Sequence, residues 1–156
     1  MAKVIVVYES KYGNTKLVAE TIIEGMREVS GIEPSLNELK EVDLNQLTEC
    51  DAILVGSPNH IGNATRGIRK FIDKLGKLSL KGKLAAVFDT YLGGSFEKAA
   101  KKMEKQMSQK APGLKLAPHV LSIKVEGMKG PITEGELPKC KEFGIEIANQ
   151  ISRLES

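Results

Sequence analysis

Short unbroken apolar runs alternate along this chain with longer stretches in which apolar residues recur every three or four positions. Residues 4–8 (Val-Ile-Val-Val-Tyr) have the pattern of a strand buried on both faces. Residues 14–29 follow as an amphipathic helix, with Val18, Ile22, Met26 and Val29 at helical spacing. Residues 32–39 are mixed in polarity and read as a strand near a sheet edge, and 44–48 as a short helix. Two more buried strands are expected at 51–56 and 84–89, and a last one at 120–125. The helical pattern returns at 65–75, with Ile68, Phe71, Ile72 and Leu75 inward. It returns again at 95–109, with Phe96, Ala99, Ala100, Met103 and Met107 inward. The Gly/Pro-rich stretch 126–138 reads as a loop, and 139–154 as a closing helix facing Phe143, Ile147, Ile151 and Leu154 to the core.

Five strands alternating with helices specify an α/β fold with a parallel sheet. The chain carries no internal repeat, low-complexity tract or linker, so residues 1–156 are expected to form a single domain. In open sheets of this kind ligands sit beyond the carboxyl ends of the strands. The loops after each buried strand are therefore where function is sought.

Composition narrows the classes. The net charge of +3, with Lys and Glu interspersed, is no argument for nucleic acid. No apolar run approaches a membrane span, and the amino terminus enters a strand almost at once, so no signal peptide is expected. Cys50 and Cys140 lack CxxC spacing and fit reduced, packed thiols in a cytoplasmic protein. Cys140 falls in the first turn of the last expected helix, where the dipole can lower a thiol pKa, although an inert thiol is the plainer expectation.

Three loops carry candidate chemistry. The first is Ser10, Lys11, Tyr12, Gly13, Asn14 and Thr15, between the first strand and its helix. Backbone N–H groups there, aided by hydroxyl and amide side chains and a helix dipole, suit a phosphate. The plainer reading is a helix start capped by Asn14 or Thr15. Neither GxxxxGK[ST] nor GxGxxG is present. The second loop runs Ser57, Pro58, Asn59, His60, Ile61, Gly62, Asn63. Its Ile61 has no evident core duty and can lie on an aromatic ring. The third is Asp89, Thr90, Tyr91, Leu92, Gly93, Gly94. Tyr91 is a stacking partner for a planar ligand, and the glycine pair permits close approach. The alternative is a helix start capped by Ser95 with Tyr91 filling a gap.

Together these loops resemble those of the flavodoxin family. Residues 10–15 resemble its phosphate loop, usually Thr/Ser-x-Thr-Gly-x-Thr. Gly56, Ser57, Pro58 and Asn59 followed by Gly62 and Asn63, then Tyr91 before Gly93 and Gly94, resemble the two loops that clasp a flavin ring. The likeness is strongest to short-chain, stand-alone flavodoxins and to the flavodoxin-like domain of A-type flavoproteins. It covers essentially the whole chain.

The resemblance implies a doubly wound five-stranded parallel sheet of order 2-1-3-4-5 in a three-layer α/β/α sandwich. It implies non-covalent FMN, with the phosphate on residues 10–15 and the ring between 57–63 and 89–94. It implies an electron carrier working through the flavin semiquinone, with no catalytic residue and no metal of its own. Its partners would be redox proteins, a reductase or ferredoxin-like donor and an unknown acceptor, and the chain a monomer or weak dimer. The peptide at Gly62 is the candidate for a carbonyl that turns toward the flavin. The competing implication is an FMN-dependent NAD(P)H:quinone reductase, whose relatives share a Ser-x-Tyr-Gly loop. Three features depart from the family. Tyr12 replaces the middle Thr of the phosphate loop, Trp is absent so Ile61 or His60 must face Tyr91 across the ring, and the net charge is positive where many flavodoxins are acidic. The di-iron domain of A-type flavoproteins is not expected within these 156 residues, because His60 and His119 alone cannot build it.

Overall fold

The apolar runs become strands because each can bury both faces between helices. The computed structural model describes residues 1–155. Its strands are β1 (Ala2–Tyr8), β2 (Ile32–Glu38), β3 (Ala52–Pro58), β4 (Leu84–Tyr91), β5 (Lys115–Leu116) and β6 (Leu121–Lys124). All pair in parallel in the order β2-β1-β3-β4-β5, with β6 also on β4. The helices are α1 (Asn14–Met26), α2 (Leu44–Glu49), α3 (Arg66–Leu75), α4 (Lys98–Lys110) and α5 (Leu137–Glu155).

Side chains alternate across the sheet as strand geometry requires. Val4, Val6 and Tyr8 of β1 pack with Leu54 and Phe88 against α1 and α5, through Val18, Ile22, Phe143 and Ile147. Ile5 and Val7 pack with Ile53, Val55 and Val87 against α3 and α4, through Ile68, Phe71, Met103 and Met107. This is the expected three-layer, doubly wound sandwich of strand order 2-1-3-4-5. The strand order reverses between β1 and β3, so the loops after these strands diverge and leave a crevice at the carboxyl edge.

Several local expectations need correction. The last strand is broken in two: β5 pairs with Leu84 and Ala85 at the start of β4, and β6 with residues 88–91 at its end. Pro118 lies in the gap, where it has no N–H for the ladder. α4 begins at Lys98 rather than residue 95, because Glu97 takes a left-handed conformation with φ of 60°. Phe96 is thereby left outside the helix and is 57% exposed instead of inward. Leu154 is 51% exposed because it stands beyond Ile151, the last core residue of α5. Neither Asn14 nor Thr15 caps α1; that position belongs to Gly13, whose φ of 91° suits a residue without Cβ. Thr65 caps α3, accepting from the Ile68 N–H at 3.2 Å.

Candidate functional site

A cleft of about 410 Å3 opens where the strand order reverses, within the size range of small-molecule sites (roughly 300–1,000 Å3). The phosphate-type loop forms one end. Ser10 Oγ accepts from the Gly13 N–H at 3.0 Å, which bends the chain and leaves the hydroxyl proton free to donate. The N–H groups of Asn14, Thr15 and Lys16 open α1 and have no intrahelical acceptor, and no other backbone oxygen takes them among the described residues. Ser10, Lys11, Tyr12, Asn14 and Thr15 all line the cleft. Beneath them the buried Thr15 Oγ1 meets Thr90 Oγ1 at 3.0 Å, tying this loop to β4.

The second loop is a tight hairpin. His60 and Asn63 exchange backbone hydrogen bonds at 2.7 and 3.1 Å. Ile61 (φ 53°) and Gly62 (φ 74°) between them are both left-handed, the requirement of a two-residue primed turn. A β-branched residue with positive φ is strained, yet Ile61 is fully exposed at the cleft mouth. Asn59 holds the hairpin in place. Its side chain donates to Thr90 O at 3.0 Å and accepts from the Ala99 N–H at 3.0 Å.

Tyr91 stands on the third wall with Thr90 and Leu92. Phe96 meets it edge to face, 5.3 Å between centroids at 71°. The residue expected in the core of α4 therefore buttresses the aromatic wall. Burial, followed by the charge of Glu136, raises the Tyr91 phenol pKa, so the ring stays neutral.

Seven expected site residues do not line the cleft. Ser57 and Asp89 are paired in register within the sheet, because β3 runs two residues past its expected end and Asp89, the last residue of the strand expected at 84–89, faces it from within β4. Ser57 Oγ is spent on Pro58 O and the Thr65 N–H. The Asp89 carboxylate accepts from the Ala100 N–H and the Ser122 hydroxyl, and burial raises its pKa. Gly13, Gly62 and Gly93 supply positive-φ turns, Gly94 follows in the same turn region, and Asn63 closes the hairpin.

A fourth wall escaped the sequence reading. Val125 and Met128 line the cleft, on a segment read only as a loop. Val125 bridges Ile132 in antiparallel fashion, and its N–H donates to Tyr91 O at 2.9 Å. The tip of this second hairpin abuts the phosphate-type loop: a Cβ on Gly130 would stand 2.5 Å from Asn14 Oδ1. Lys129 from the tip and Lys11 lie 6.0 and 5.5 Å from the centre of the Tyr12 ring. An exposed methionine among glycines was the available signal.

These parts define a class: a doubly wound α/β protein with an anion-binding turn at one end of a cleft and an aromatic wall at the other. Comparison with known proteins agrees. A flavodoxin-domain family profile matches residues 5–120. A flavodoxin of Clostridium saccharobutylicum is 36% identical over 88 residues, 56% of this chain and 55% of its own. An NAD(P)H dehydrogenase (quinone) of Chromohalobacter salexigens is 34% identical, covering 64% of this chain and 58% of its own. The chain thus spans little more than half the length of these curated relatives. The solved structure of an archaeal flavodoxin superposes with a TM-score of 0.83 at 32% identity, covering 96% of this chain and 99% of that one. The chain belongs to the flavodoxin family.

Among the described residues no group of His, Cys, Asp and Glu is placed to hold a metal ion, and no helix is long and apolar enough to cross a membrane.

Proposed function

We propose that residues 1–156 act as one flavodoxin-like domain that binds FMN non-covalently and carries electrons between cytoplasmic redox proteins. The observation that carries this reading is the set of free first-turn N–H groups of α1 at one end of the cleft, with Tyr91 at the other. FMN needs both: donors and a positive dipole end for its phosphate, and an apolar planar slot for its ring. Bound there, FMN would supply the electron acceptance and return.

The chain's own residues position and shield. Ser10, Asn14, Thr15 and the first-turn amides would hold the phosphate. Tyr91, set by Phe96, would lie on one face of the ring, with Ile61 and His60 toward the other. Val125 and Met128 would exclude water from the remaining side. Gly62, at positive φ in a two-residue turn, can rotate its peptide toward the cleft without Cβ strain. A reductase or ferredoxin-like donor and a separate acceptor fit this role, with the chain itself monomeric or weakly dimeric.

The match to an NAD(P)H dehydrogenase (quinone) favours a second reading, a quinone reductase with substrates of its own. The two separate cleanly. The carrier is purified yellow, releases FMN on heating, and turns over NADH with a quinone only slowly. Rapid quinone-dependent NADH oxidation establishes the reductase, and a colourless protein that takes up no FMN removes both.

A further inference from the structure

The mild net charge of +3 conceals a strong separation of charge. Residues 66–110 hold twelve Lys and Arg against four Asp and Glu, a net of +8. Residues 14–51 hold three against nine, a net of −6. The positive segment contains α3 and α4, side by side on one face of the sheet, where Gln106 of α4 donates to Arg69 O and Asp73 Oδ1 of α3 at 2.8 and 2.9 Å. The negative segment contains α1 on the opposite face, the β2 edge of the sheet, and the short helix α2, which packs beside α3.

Arg66, Lys70 and Lys74 of α3, with Lys101, Lys102 and Lys105 of α4, are all exposed. Ion pairs among the described residues join Lys139 to Glu136 and Lys141 to Glu28, and neither uses a cation of α3 or α4. A surface charged only for solubility intersperses its signs. Apart from Asp73 and Glu104 this face is positive, and no ion pair among the described residues neutralises its cations, so its field reaches solvent.

The face also begins at the cleft. α3 follows the His60–Asn63 hairpin and α4 follows the Tyr91 loop, so both helices start at its rim. A Cβ on Gly62 would stand 3.3 Å from Lys98 Cδ, which places the first lysine of α4 against that hairpin. Two helices of this length span a face about 20 Å long and roughly two helix widths across. That suits the small, polar, transient contacts of electron-transfer encounters.

We propose that the α3–α4 face is the docking surface for an acidic redox protein, which it steers so that the partner's redox centre meets the cleft. The proposal rests on the electron-carrier reading and adds to it the partner's charge and the face it uses. Nucleic acid is the weaker occupant. Phosphate binding alone gives no reason for the cations to start at the cleft, and the negative α1 side would repel a polyanion at longer range.

The test uses the isotope-labelled full chain, with and without FMN, titrated with a purified acidic bacterial ferredoxin. Shift mapping is expected to mark α3, α4 and the cleft rim, and affinity to fall at least tenfold from low salt to roughly physiological ionic strength. The double substitution Lys101→Glu/Lys102→Glu is expected to weaken ferredoxin binding on the order of tenfold, with circular dichroism unchanged. Glu20→Lys/Glu24→Lys on α1 is expected to leave it within about twofold. Shifts confined to another face, affinity indifferent to salt, equal binding of a basic cytochrome c, or tighter binding of duplex DNA to this face would each overturn the proposal. Because docking is read with and without FMN, failure of docking and failure of FMN binding are distinct results.

Discussion

Individual side chains in this molecule do different work from what their neighbours in sequence suggest. Phe96 fits a helical apolar stripe with Ala99, Ala100 and Met103, but Glu97 breaks the register and hands its ring to Tyr91. Phe96→Ala is expected to weaken FMN and riboflavin alike, by several-fold, because an edge-to-face pair contributes ~0.5–1.5 kcal/mol. Ser10→Ala is expected to weaken FMN by about tenfold and leave riboflavin nearly unchanged, because it removes a donor at the phosphate end only. Parallel fluorescence titrations with the two flavins check both. Cys140 is fully buried in α5, and burial, followed by the charge of Glu136, pushes its thiol up to about 12. Both cysteines are thus expected to be silent toward Ellman's reagent until the protein is unfolded. A sign follows for stability. Above its ordinary pKa of 9.0 the Cys140 thiol ionises in the unfolded chain and stays protonated in the folded one, so stability falls as pH rises from 9.0 toward about 12. The slope per site approaches ~1.4 kcal/mol per pH unit. Denaturant titrations at several alkaline pH values should show Cys140→Ala lowering overall stability while flattening that slope.

Among elements, the packing of α1 on α5 depends on absent side chains. A Cβ on Gly25 would stand 2.0 Å from Lys141 O, and one on Gly144 2.0 Å from Ile22 O. Backbone meets backbone, so no rotamer change relieves the clash. Gly144→Ala is therefore expected to destabilise the protein by about 1–3 kcal/mol, despite alanine's better helix propensity, which a chemical-denaturation midpoint will show. The strands were legible in the sequence as unbroken apolar runs and the helices as long periodic patterns, and the cleft's first wall was legible because residues 10–15 are contiguous. What was not legible depended on contacts distant in sequence. Ser57 reads as a loop residue, and Asp89 as a strand end that opens the third loop, because polarity ends each apolar run; in the sheet they are paired neighbours whose polar atoms are satisfied within the protein. Val125 and Met128 become site residues only when β6 pairs with β4 and carries the hairpin to the cleft. The break at Pro118 is an edge-strand effect, invisible until the strand's position in the sheet is known.

For the whole molecule, fold and charge point the same way. A doubly wound sheet gathers four loops at one crevice, and helices α3 and α4 carry a positive field up to its rim. The crevice suits a ligand with an anionic end and an aromatic body, and the positive face suits an acidic partner. The most direct measurement is a fluorescence titration of the flavin-free protein with FMN and, separately, with riboflavin. FMN emission should be quenched to a one-to-one end point, while riboflavin, lacking the phosphate, binds at least a hundredfold more weakly, on the order of 2.7 kcal/mol. Absence of FMN quenching, or equal affinity for the two flavins, would contradict the anion-gripping turn at the amino end of α1.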